Sequence, residues 1–152
     1  MGRFCLAVIL FWASQAFADL VISDAQVRAM PPGQPNTAAF LTLKNTSAQS
    51  VTLVSAKTNA AKKAEFHNHI KNAAGVMSMQ QVASINIEPN ASFVFKSGSY
   101  HIMLMGLNKM LKPGESVSLE LTDQQGRTYT YDVPVVSMMG GGMHHHHHHG
   151  EE

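Results

Sequence analysis

Four side chains could hold a metal between them: His67, Met79, His101 and Met103, with His69 two residues after the first and Met77 two residues before the second. Every donor in this set is uncharged. Imidazole nitrogen is a borderline ligand and thioether sulfur a soft one, poor for zinc, magnesium or calcium and good for copper(I). A thioether takes no proton in the accessible pH range and forms no disulfide, so it holds copper(I) where a cysteine would be oxidised or would not let go. That chemistry suits transfer more than storage. The same donors recur near the end of the chain, as Met143 followed by His144, His145, His146, His147, His148 and His149.

Thiols play no part. The single cysteine, Cys5, lies within an N-terminal apolar run, whereas a lipoprotein signal would carry its cysteine after that run. The rest of the chain therefore offers no disulfide, no thiolate nucleophile and no iron–sulfur cluster. A blue-copper centre is excluded as well, because it needs a Cys sulfur beside two His. Glu65, Asp123 and Asp132 stand near strand positions, too few to build a paired-carboxylate or triad enzyme. The residues predict no enzymatic activity.

To meet, these donors need strands. Short alternating or β-branched segments run through the chain at Leu20–Arg28, 37–44, 50–57, 63–70, 76–82, 92–96, 101–105, 116–122 and 128–135. Pro31-Pro32-Gly33, Asn45-Thr46-Ser47, Asn72 to Gly75, Glu88-Pro89-Asn90, Ser97-Gly98-Ser99, Pro113-Gly114 and Gln124-Gln125-Gly126 supply turns between them. No segment sustains an apolar period of 3.6 residues. About nine short strands predict an all-β antiparallel sandwich or small barrel. Strand residues two apart share a face, so His67 points with His69, Met77 with Met79, and His101 with Met103 and Met105.

Each of these residues also has a plainer role. Methionine in a strand usually fills gaps in a core, and that is the expectation for Met30, Met105 and Met110. A lone strand histidine is usually structural. Two His-x-His or His-x-Met pairs with a Met-x-Met in one short domain strain that explanation, yet spacing alone leaves packing and metal binding both open.

Of the 152 residues, 45% are hydrophobic and 14% charged, which gives one domain with a real apolar core. The net charge of +1 leaves no basic field for nucleic acid. Residues 1–18 read as a signal peptide: a basic start at Met1-Gly2-Arg3, an apolar run from Phe4 to Trp12, and Ala16-Phe17-Ala18 as the cleavage motif. The mature chain, cut after Ala18, carries no membrane span and is expected to be exported to the periplasm and to act as a monomer. Residues 19–136 form the expected copper-binding domain. Residues 137–152 form a flexible Met- and His-rich tail, because Gly140-Gly141-Gly142 and the histidine run have nothing to pack. A hexahistidine run has a bland reading as an affinity tag. Against it stand the retained signal peptide, the methionines before the run and Gly150-Glu151-Glu152 after it.

From His67 to Met79, His101 and Met103, the intervening residues number eleven, twenty-one and one. This pattern resembles the His, Met, His-x-Met signature of the periplasmic copper chaperones written PCu(A)C. Pro32-Gly33-Gln34 with Thr37 to Leu43 and Asn45, Gly75-Val76-Met77-Ser78-Met79, Tyr100 to Leu107, and Leu111-Lys112-Pro113-Gly114 extend the likeness over Leu20 to Val135. Two departures stand out. His69 adds a second imidazole to the first hairpin, and Asn72-Ala73-Ala74-Gly75 lacks the acidic residue common before that glycine.

The resemblance implies a cupredoxin-like, Greek-key β-sandwich with one copper(I) at an exposed end, held by His67, Met79, His101 and Met103, with His69 and Met77 as further donors. It implies delivery to the dinuclear copper centre of cytochrome c oxidase, in company with thiol-bearing Sco-type chaperones. Relatives with Met- and His-rich extensions also take copper(II), which the tail would do here. Two other classes compete: a periplasmic copper, nickel or zinc buffer acting through the tail, and a structural sandwich without a metal role.

Overall fold

The computed structural model describes residues 19–138; the expected signal peptide and all but two residues of the expected tail, including Met143 and His144 to His149, lie outside the described residues. Ten strands follow one another: β1 (Leu20–Arg28), β2 (Asn36–Asn45), β3 (Val51–Thr58), β4 (Ala61–Lys71), β5 (Met77–Gln81), β6 (Ile85–Ile87), β7 (Ser92–Phe95), β8 (His101–Leu107), β9 (Ser116–Asp123) and β10 (Thr128–Val136). No helix occurs among the described residues. The nine expected strands are all present, with ends displaced by at most two residues. Sequence reading misses β6, whose Ile85-Asn86-Ile87 is too short for alternation to register beside Glu88-Pro89.

The strands form one sheet in the order β5-β4-β8-β2-β1-β10-β9-β3-β6, with β7 on β2 and a further β3–β4 contact at Ala56 and Ala64. That contact closes seven strands, β4-β8-β2-β1-β10-β9-β3, into a ring. The pairing thus follows the barrel side of the sequence expectation, as a single closed sheet. It also departs from a purely antiparallel pattern, because β1 and β10 run parallel through Val27–Val135 and Arg28–Val136. Parallel neighbours need a long crossover, and here the whole intervening domain supplies it.

The core fills the ring. Val117, Leu119 and Leu121 alternate inward along β9, and Val27, Leu41, Leu43, Leu53, Ile85, Ile87, Ile102 and Leu104 join them, all nearly or fully inaccessible. Asn45, buried among them, is fully bonded: its amide donates to the Gln49 and Ile87 carbonyls, and its oxygen accepts from the Ser47 N–H and hydroxyl. Met30 and Met105 are partly buried, but Met110 stands 49% exposed in the loop after β8, so the packing role expected for it does not hold.

β4 is the strand that makes the site possible. Its first half lies inside the ring between β3 and β8, and its second half runs beyond it to pair with β5. His67 sits at the changeover, registered with His101 on one side and Gln81 on the other.

Candidate metal centre

The β4–β5 hairpin is built by its turn. The Asn72 side-chain oxygen accepts from the Ala74 and Val76 N–H groups at 3.0 and 2.9 Å, and the Gly75 N–H donates to the Asn72 carbonyl at 2.9 Å. Gly75 has φ +81°, a left-handed conformation that glycine adopts without steric cost. This turn sets the register that pairs Lys71 with Met77, His69 with Met79 and His67 with Gln81.

Residues opposed across an antiparallel ladder point to the same face. The register of β4 against β8 opposes Glu65 to Met103, Phe66 to Ile102 and His67 to His101. Phe66, Ile102 and Leu104 turn into the core. The alternate residues, Glu65, His67, His69, His101, Met103 and Met79, therefore share the outer face. One strand-periodic pattern packs the barrel on one side and gathers imidazoles and thioethers on the other.

The three imidazoles cluster. The His101 ring centroid lies 5.0 Å from that of His69, 6.0 Å from that of His67 and 6.4 Å from the Phe40 ring. His101 is buried, at 2% exposure, and its Nδ1 lies 2.9 Å from the Ser99 carbonyl oxygen. That carbonyl can only accept, so Nδ1 carries the proton and Nε2 keeps its lone pair. His69 Nδ1 approaches the same carbonyl at 3.4 Å. Burial pushes the His101 pKa below its ordinary value of 6.5; the Ser99 hydrogen bond opposes this, and the neighbouring His69 and His67 reinforce it. The imidazole is thus kept neutral, the form that binds metal.

His67 has the opposite arrangement. Its Nε2 lies 3.0 Å from Glu65 Oε2, while its Nδ1 is buried with no hydrogen-bond partner, the one such side-chain atom among the described residues. Buried polar atoms are almost always paired, so this unpartnered imidazole nitrogen sets His67 apart. Among the described residues, no group of three His, Asp or Glu side chains is arranged to hold a metal ion by itself. Met79 and Met103 share the outer face with the imidazoles, opposite His69 and Glu65.

A sequence profile of the LpqE-like lipoproteins matches residues 20–135. The chain belongs to this PCuAC family. A relative of this PCuAC domain from Leifsonia xyli subsp. xyli, Lxx21020, described as a lipoprotein, is 35% identical over 121 residues, 78% of this chain and 70% of its own. The solution structure of copper(I)-loaded DR1885 from Deinococcus radiodurans is 32% identical, covers 84% of this chain and 85% of its own, and superposes with a TM-score of 0.62. The copper-bound PCuAC domain of PmoF2 shares the fold at 20% identity and a TM-score of 0.63, covering 76% of this chain and 91% of its own. The matching family and Lxx21020 are described as lipoproteins; the single cysteine of this chain is Cys5.

Of the residues singled out by spacing, His67, His101, Met103 and Met79 all lie on the outer face, but in three successive rows. Met79 sits opposite His69 and not opposite His67, which draws His69 into the same group. Met77 is one row further out, opposite Lys71, and like Met79 it is about half exposed. Glu65 and Ser99, the hydrogen-bond partners of His67 and His101, were not anticipated in that place. The Glu-x-His spacing in a strand is a signal for the first; a backbone carbonyl leaves none for the second.

Among the described residues no helix is long and apolar enough to cross a membrane. Asp123, weighed above as a catalytic carboxylate, ends β9 and braces the turn that follows it. It accepts from the Gln125 and Arg127 N–H groups, the Arg127 guanidinium at 2.7 Å and the Tyr129 hydroxyl, which occupies both its oxygens.

Proposed function

We propose that this PCuAC domain carries copper(I) in the periplasm, as a monomer, on His67, His101, Met79 and Met103, with His69 beside them. Copper is cargo here. The observation that carries the reading is the buried, unpartnered Nδ1 of His67, whose ring lies 6.0 Å from that of His101 across the β4–β8 ladder, with two thioethers on the same face. The likeness to copper(I)-loaded DR1885 supports it.

The graded exposure of the donors suits hand-over. Met79 is 53% exposed, within reach of a docking acceptor, whereas His101 is buried and held by Ser99. An acceptor that displaces the thioether first and the buried imidazole last exchanges ligands one at a time, so copper is never free. The acceptor best fitted by the family likeness is the dinuclear copper centre of cytochrome c oxidase, with a Sco-type thiol chaperone as the companion.

The tail adds a second binder, of copper(II) as well, through Met143 and His144 to His149. Its point of departure favours communication with the site. Val135, Val27, Ala39, Ile102 and Phe66 form one lateral row across β10, β1, β2, β8 and β4. Three strand spacings, roughly 14 Å, separate the end of β10 from β8.

The deciding experiment is copper(I) competition against a chromophoric chelator, on the chain from Asp19, on the same chain ending at Val136, and on Met79→Ala/Met103→Ala. One equivalent retained without the tail and lost in the double variant supports the carrier. Loss of nearly all metal with the tail identifies a tail-based buffer, and no copper(I) bound by either chain identifies a structural domain.

A further inference from the structure

We infer that Glu65 is a positioning residue that locks His67 in the Nε2–H tautomer, so that His67 meets copper through Nδ1 while His101 meets it through Nε2. The inference rests on the copper-carrier reading above and adds which nitrogen each imidazole offers and what sets the choice.

The argument is one of elimination at His67. Glu65 and His67 are two apart on β4 and share its outer face, with Oε2 and Nε2 3.0 Å apart. An ionised carboxylate is an acceptor only. If His67 carried its proton on Nδ1, a lone pair would face the carboxylate at Nε2 and a buried N–H would have no acceptor at Nδ1. If it were doubly protonated, the Glu65 bond would form but the buried Nδ1–H would still be unmet. Of the two forms that satisfy the Glu65 contact, only the neutral Nε2–H one buries no unmet N–H, and it leaves a lone pair at Nδ1 with nothing to accept. A cation with affinity for imidazole is what completes that atom.

His101 reaches the same end by the other nitrogen, since the Ser99 carbonyl claims its Nδ1 proton at 2.9 Å. Two imidazoles opposed across the ladder thus offer unlike nitrogens, each fixed by an outer partner. Glu65 is itself a poor candidate ligand, because a carboxylate is hard and copper(I) is soft. Its charge, held on the far side of the ring, raises the basicity of the nitrogen that binds.

The test uses the mature full-length chain labelled with 15N at histidine, since long-range proton–nitrogen spectra distinguish the two tautomers and copper(I) is diamagnetic. Expected at about pH 8, well above the ordinary histidine pKa, is His67 in the Nε2–H form without metal. With one equivalent of copper(I), the His67 Nδ1 resonance shifts while Nε2–H persists. In Glu65→Ala the tautomers mix and copper(I) affinity falls about 10- to 100-fold, with the melting temperature close to the parent's. Glu65→Gln, which keeps an acceptor without the charge, retains the tautomer and loses less. Copper(I) bound with no shift at Nδ1, or an unchanged tautomer and affinity in Glu65→Ala, overturns the inference alone. No uptake of copper(I) by the parent chain overturns the carrier reading, and the ligand role of Nδ1 with it. The parent spectra decide the nitrogen even if Glu65→Ala does not fold.

Discussion

His67 and His101 oppose each other across the β4–β8 ladder with their rings 6.0 Å apart, and His69 crowds His101 further at 5.0 Å. A proton added to any one of the three is repelled by a proton on the others. For the buried His101 the arrangement favours the neutral ring, which is a competent metal donor.

The consequence for stability has a definite sign. The His101 pKa lies below 6.5 in the folded domain, because burial disfavours its charged form more than Ser99 favours it. Below pH 6.5 the unfolded chain takes up a proton that the folded chain refuses, so stability falls as the pH drops from 6.5 toward the folded value, and is unaffected by this group above 6.5. Urea unfolding of the metal-free domain between pH 5 and 8 should show this slope, and the His101 ring resonances should titrate below 6.5. A His101 midpoint at or above 6.5 would remove the cause. Acidification should also strip copper from the tail, whose donors are mostly imidazoles, before it strips the domain, whose thioethers take no proton.

Met79 and Met77 separate ligand from bystander. Both are about half exposed on β5, so trimming either to alanine should change stability by less than about 0.5 kcal/mol. Met79 stands beside His69, and its loss should weaken copper(I) binding about 10-fold or more by removing a soft donor. Met77, opposite Lys71, should leave affinity within about 3-fold. Equal effects of the two substitutions in chelator competition would dissolve the distinction.

How far the sequence reveals this arrangement depends on the range of the interaction. Alternation in Val117-Ser118-Leu119-Glu120-Leu121 announces a half-buried strand, because the information is local, and the same parity places His67 with His69 and His101 with Met103. Ring closure through Ala56 and Ala64, or the parallel β1–β10 pair, joins elements that leave no mutual trace in composition. Which histidine faces Met79 depends on the Asn72–Val76 turn: one residue more or less would flip β5 and send both methionines to the opposite face. The orienting partners divide likewise. Glu65 is visible as Glu-x-His, whereas Ser99 acts through its carbonyl, an atom common to every residue.

Asp123 holds the β9–β10 turn. Burial raises its pKa, but the hydrogen bonds from the Arg127 backbone and guanidinium, Gln125 and Tyr129 outweigh this and leave it below its ordinary value. Its contribution is present at neutral pH and is lost as the pH falls through the folded value, below 3.8. Asp123→Ala should cost about 3 kcal/mol, the low end for a broken buried pair because Arg127 is partly exposed. The turn lies seven residues of β10, roughly 23 Å, from the row that contains Ile102. Thermal unfolding should therefore drop while copper(I) affinity stays at the parent value, and a matching loss of affinity would show that the turn and the site are coupled.

Ile102 lies between His101 and Met103 in sequence and on the other side of the sheet, fully buried against Phe66 and Ala39. Truncation to alanine leaves a cavity directly beneath the candidate site and should cost about 3 kcal/mol. Copper(I) binding to the folded state alone returns stability by mass action, about 2.7 kcal/mol at a free concentration 100 times the dissociation constant. Saturating Ile102→Ala with buffered copper(I) should then restore most of the lost melting temperature, provided that the outer face keeps its donors in register. The same addition to Ile102→Ala/Met79→Ala/Met103→Ala should restore almost nothing. Full restoration in that triple variant would mean that the thioethers are not what holds the metal, and would shift the site onto the imidazoles alone.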